Sequence, residues 1–134
     1  MTNFAFSLWT LPNTVIGFFV GLFFAWTIPT FDFDRGYWKF CSGRGLSGWV
    51  HRNGTWATTL GQAVIFWRAD KCDDEALLEH ELVHVRQYNT LGPFFLLLYL
   101  PLVPFYGGKK HHPMERPAYK RQAEVQARLD AAQP

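Results

Sequence analysis

DDEALLEHELVHVRQYNTLGP, residues 73–93, reads as a single helix with both of its ends marked. Asp73, Asp74 and Glu75 place negative charge at the positive end of a helix dipole. Gly92 followed by Pro93 stops the helix just beyond Thr90. On a helical wheel Glu75, Glu79 and Arg86 fall on one narrow polar face. His80, Glu81 and His84 fall on the opposite side, among Leu77, Val85 and Tyr88. Three ionisable groups inside an apolar arc are costly to bury unless something binds them.

Two histidines four residues apart stand one above the other on a helix, so both imidazoles reach one metal ion. The glutamate beside the first lies near the open coordination position, where it accepts a proton from bound water. The expected ion is Zn2+, which lowers the pKa of such a water to about 7. His80 and His84 are therefore expected metal ligands, and Glu81 the expected general base. A catalytic zinc site also takes a third protein ligand. Glu115, His111 and His112 lie downstream, with Asp130 farther off. Glu115 shares a helix face with Ala118, Gln122, Val125 and Leu129, which aims its carboxylate inward and favours it over the histidines. His111 and His112 follow Lys109 and Lys110 in an expected surface loop.

Working outward, Phe94 to Tyr106 is intensely apolar but broken by Pro101 and Pro104. It suits a re-entrant or interfacial segment, or a lid, better than a straight transmembrane helix. A last helix is expected from about Met114 to Ala132. Upstream, Ser42-Gly43-Arg44-Gly45 reads as a turn or loop. Trp49 to Arg52, then Asn53-Gly54, then Thr55 to Thr59 have the form of a two-residue hairpin. After Gly61, Gln62 to Trp67 reads as a further strand, giving a small antiparallel sheet of three to four strands.

No charged side chain precedes Asp32. Thr14 to Ile28 lies between Pro12 and Pro29, and a helix of that length covers about 22 Å, short of a bilayer core. Begun near Phe4 and kinked at Pro12, it reaches across. An apolar membrane helix segment is thus expected over residues 4–30. Gly17, Gly21 and Ala25 repeat every fourth residue, the spacing of helix–helix association in membranes. Arg35, Lys39 and Arg44 follow the apolar run, which favours a cytoplasmic main domain. The chain has 134 residues and a net charge of +2, enough for one domain and too little charge for a nucleic-acid partner. Cys41 and Cys72 suit either one disulfide or two free thiols.

His80-Glu81-Leu82-Val83-His84-Val85-Arg86-Gln87-Tyr88, with a later glutamate in Glu115-Arg116-Pro117-Ala118-Tyr119, resembles the gluzincin metallopeptidases. HtpX-type membrane peptidases are the nearest well-described group. Leu91-Gly92-Pro93-Phe94-Phe95 also looks like small bacterial proteins that share the His-Glu-Leu-Val-His context. The resemblance spans roughly Asp73 to Tyr119. It implies zinc at His80, His84 and Glu115, with Glu81 as general base. Tyr119 stands where the family has Asp, and Pro117 sits two residues after the implied ligand.

The expected fold is α+β: an N-terminal membrane helix, the small antiparallel sheet, the His-Glu-x-x-His helix, the proline-broken apolar segment and a C-terminal helix. Residues 1–134 are expected as a single domain, with 31–134 the zinc-binding, metallopeptidase-like region. The expected function is a membrane-associated zinc metallopeptidase acting on a peptide or protein substrate. The competing expectation is a non-catalytic small membrane protein with a structural metal site. In the enzyme, an edge strand within Thr55–Leu60 or Gln62–Trp67 would bind the substrate backbone. Tyr106, Tyr119 or His112 would supply a hydrogen bond to the oxyanion.

Overall fold

A computed structural model describes residues 4–42, 47–52, 56–105, 107 and 111–134. The first helix, α1 (Phe4–Phe19), runs into a π-helical turn at Val20–Phe24. Strands β1 (Thr30–Asp32) and β2 (Tyr37–Cys41) follow, then the short helix α2 (Ser47–Arg52). Strands β3 (Ala57–Leu60) and β4 (Ala63–Phe66) precede three helices: α3 (Glu75–Leu91), α4 (Phe94–Phe105) and α5 (Arg116–Ala132).

The sheet has four strands in the order β1-β2-β4-β3. It is mixed, not antiparallel as expected, because β2 and β4 run parallel while the outer pairs are antiparallel. The expected Trp49–Arg52 strand is helical instead, lying in α2. The excursion through α2 and β3 brings β4 back alongside β2 in the same direction. Asn53-Gly54, the expected hairpin turn, and Gly43-Arg44-Gly45 lie outside the described residues. The turn that pairs β3 with β4 is Gly61-Gln62, set by the positive φ of +64° at Gly61.

All four residues of β4 are buried, so this strand carries helices on both faces. Val64 and Phe66 pack with Leu77, Leu78, Leu82 and Val85 of α3. Ala63 and Ile65 point the other way, toward Phe40 and Ala25, with Phe18 and Val20 against them. The period of two along β4 thus distributes the core between α3 and α1. Asp74 begins α3 as expected: its carboxylate accepts a hydrogen bond from Leu77 N at 3.0 Å. Cys41 and Cys72 form a disulfide that ties the end of β2 to the approach to α3; such bonds persist in oxidising surroundings.

The N-terminal membrane helix is not found: no helix among the described residues is long and apolar enough to cross a membrane. The 16 residues of α1 span about 24 Å, and the helical path ends with the π turn. One side of it is held against the sheet. Asn13 Nδ2 donates to Gly92 O at 2.9 Å, and Gln62 N–H donates to Thr14 Oγ1 at 3.0 Å. The small residues Gly17 and Gly21 face Ala63 and Phe40, and Ala25 is buried, so packing within the chain occupies this row. With no spanning helix among the described residues, the positions of Arg35, Lys39 and Arg44 in the sequence set no membrane orientation.

A methyl group at Gly21 would meet the Phe40 ring. Gly21→Ala is expected to lower the unfolding free energy by about 1–3 kcal/mol through overpacking. Val15→Ala, on the exposed side of α1, should stay within about 0.5 kcal/mol. Chemical denaturation compares the two, and equal effects would contradict the packing of α1 on the sheet.

Candidate metal centre

The core-facing side of α3 places His80, Glu81 and His84 under the helix, where all three are buried. Glu115, just ahead of α5, is buried with them. His80 Nε2 and His84 Nε2 each lie 3.2 Å from Glu115 Oε2. One ligand atom from each of these residues falls within 4.8 Å of the others, so this buried group can hold a metal ion. Donor atoms at bonds of about 2.0 Å from a tetrahedral ion lie about 3.3 Å apart, close to the two separations from Glu115 Oε2.

The hydrogen bonds around His84 give a second, independent test of fit. Gln87 Nε2 donates to Met114 O at 2.8 Å, which turns Gln87 Oε1 toward His84 Nδ1, 2.9 Å away. His84 Nδ1 therefore carries the proton. In the neutral ring Nε2 then presents a lone pair to a carboxylate oxygen, an arrangement that needs a cation between them. A proton satisfies it as well as a metal, and the ionisation follows that logic. Burial pulls His84 down, but the Glu115 carboxylate, together with the charge of Glu81, holds its pKa above the ordinary value. For Glu115 burial acts upward, yet hydrogen bonds from His80 and His84 and from Tyr99 hold it well below the usual carboxylate range.

The remaining oxygen of Glu115 is fixed from α4, because Tyr99 Oη donates to Oε1. Tyr99 is held in turn by His112. Met114 N–H donates to His112 Nδ1 at 3.1 Å, so His112 Nε2–H donates to Tyr99 O at 2.9 Å. His112 is thus a buried strut, not a ligand. His111 and Asp130 are exposed and stand apart from the group. Glu115 is brought to the two histidines as helix phase implied, and Pro117 is accommodated in the first turn of α5, where no intrahelical N–H bond is lost. His80 Nδ1 has no hydrogen-bond partner among the described residues.

Glu81 lies beside the group, and Thr59 of β3 donates to its Oε2 at 2.6 Å. A cavity of about 640 Å³ opens over these residues. Its walls include β3, the apolar Leu77, Phe95 and Val103, and Tyr119. The Tyr119 ring stands 4.7 Å from that of His80. Burial, and then the Glu115 and Glu81 carboxylates, raise the Tyr119 pKa, so its hydroxyl keeps its proton. Tyr106 lies outside the described residues. Gln87, Tyr99 and Thr59 were not found from the sequence. Gln87 stands one turn after His84 and was legible by spacing alone, whereas Thr59 and Tyr99 come from other elements and carry no local signal.

Residues 43–92 match a family described as the eCIS core domain. The match takes in α2, β3, β4 and α3 with His80, Glu81 and His84, and stops before Glu115. It covers less than half of the 134 residues. No curated protein and no solved structure matches the chain.

A proton held between His84 and Glu115 would compete with a metal ion for the same atoms. In the chelator-treated chain, the His84 part of that stabilisation is complete below 6.5 and is lost as pH rises through the elevated value. The Glu115 part is present above 4.5 and is lost as pH falls through the depressed value. The pair therefore stabilises the metal-free chain most between 4.5 and 6.5, while the metal-loaded chain gains as pH rises further. Thermal midpoints against pH, with and without chelator, should diverge toward neutrality, and parallel curves would contradict the shared proton. Removing the Gln87 amide by Gln87→Ala should weaken metal affinity about 10–100-fold, read by competition with a chelating dye.

Proposed function

We propose that the chain is a zinc-dependent peptidase of the gluzincin kind, with His80, His84 and Glu115 as ligands and Glu81 as general base. One observation carries this reading: the His84 lone pair faces a buried carboxylate oxygen, with a second buried carboxylate, Glu81, adjoining a cavity large enough for a substrate segment. A bound zinc ion supplies Lewis acidity and a water acidified to near neutral pH.

The chain's own residues supply the rest. Glu81 accepts the proton of the attacking water on its carboxylate, and the Thr59 hydroxyl holds that carboxylate in place through Oε2. Among the described strands β3 is an edge of the sheet, and it lines the cavity, so its outer side suits an extended peptide laid along it. Of the two expected segments, Thr55–Leu60 contains this edge, while β4 is interior. Leu77, Phe95 and Val103 favour an apolar side chain next to the cleaved bond. Tyr119, protonated and beside His80, suits donation to the developing oxyanion.

Glu81→Gln separates catalysis from metal holding. The variant should keep one zinc ion per chain by elemental analysis and lose peptide-library cleavage by at least about 10²-fold. His84→Ala should lose both. If the unaltered chain binds zinc and cleaves no peptide that Glu81→Gln spares, the metal is structural and the peptidase reading fails.

A further inference from the structure

The polarity of α1 and of the π turn that continues it is inverted. Its buried positions include Thr10, Asn13 and Thr14, whereas every exposed side chain from Leu8 to Phe24 is apolar. A helix packed on a core and facing water shows the opposite pattern. The same holds on α4, where every exposed side chain from Phe94 to Phe105 is apolar. Exposure is large on both helices: 63% at Phe23, 69% at Leu97 and 79% at Phe105. The two rows meet where the Trp9 and Phe94 rings stand 6.1 Å apart. The hydrogen bond from Asn13 to Gly92 O fixes α1 at the corner between α3 and α4. The result is a joined apolar face well beyond scattered surface residues.

We infer that this α1–α4 face docks onto a lipid surface, with both helices lying along the interface and neither crossing it. A protein partner is met with a polar rim and about one hydrogen bond per 100–200 Å². The exposed rows present no charge and, the Trp9 indole aside, no side-chain donor or acceptor, and hydrocarbon requires none. The 16 residues of α1 and 12 of α4 are short of a crossing but suit helices resting at headgroup depth. In the sequence, Lys109 and Lys110 come four and five residues after Phe105, and lysines near an apolar segment favour anionic lipid. Phe95, Tyr99 and Val103 line the cavity over the His-Glu group, with the exposed Leu100 and Pro104 at its edge, so α4 stands between that cavity and the face carrying Phe94, Leu97, Leu98 and Phe105.

The test uses the purified full-length chain, with and without chelator, because this inference does not depend on the metal or on peptidase activity. Co-sedimentation is measured with vesicles of phosphatidylcholine alone and of phosphatidylcholine mixed with phosphatidylglycerol. Binding to both is expected, stronger with the anionic lipid. Phe23→Glu combined with Leu97→Glu should reduce partitioning about tenfold or more, with the far-UV spectrum and thermal midpoint preserved. Should that pair fail to fold, acyl-brominated phosphatidylcholine tests the unaltered chain, whose tryptophan emission should be quenched. The inference is overturned if the chain stays in the supernatant with both vesicles, if tryptophan emission is unaffected, or if the folded double variant still binds. A lipid-independent dimer abolished by the same substitutions, with no vesicle binding, would assign the face to a second copy instead.

Discussion

Burying a carboxylate beside two imidazoles is unfavourable unless both of its oxygens find partners, and Glu115 meets that demand from three directions. Its Oε2 is shared by His80 and His84 of α3, and its Oε1 by Tyr99 of α4. Glu115 itself precedes α5, so a single side chain links three helices. Supporting contacts follow the same logic. Gln87 fixes the His84 tautomer while gripping Met114 O, and His112 braces Tyr99 from the segment just before Glu115. Arg121 of α5 reaches Glu79 of α3 at 3.0 Å on the other side of the helix pair. The stretch that delivers Glu115 is therefore held at both ends.

The sheet supplies the floor on which α3 is oriented. Because β4 alternates strictly, Val64 and Phe66 set the helix while Ala63 and Ile65 serve α1. A slip of one residue in that register would turn each set to the wrong side. The same register aims Thr59 at Glu81, since Thr59 pairs with Val64 across β3 and β4. Strand order then leaves β3 as the edge beside the cavity. The segment matched by the eCIS core domain family holds β3, β4 and α3, whereas Glu115, its tyrosine support, α1 and α4 lie outside it.

The composition of α1 illustrates how an apolar run can mislead. Fifteen uncharged residues from Thr14 to Ile28 suggest a bilayer span, yet the fold uses the glycine and threonine side of the helix to approach the sheet closely. Helical spacing showed that Gly17, Gly21 and Ala25 form one row. It could not show whether that row meets another helix or a strand, because close approach requires small residues in either case.

What the sequence determined alone was local and periodic: the limits of α3 from Asp74 and Gly92, the shared face of His80, Glu81 and His84, and the inward phase of Glu115. These follow from 3.6 residues per turn and from capping chemistry, which act over a few residues. The tertiary structure decided the parallel pairing of β2 with β4, the helical state of Trp49–Arg52, the joining of Cys41 to Cys72 and the roles of Thr59, Tyr99 and His112. Each depends on groups distant in the chain being brought together by packing, and no periodicity within a segment records its eventual neighbour.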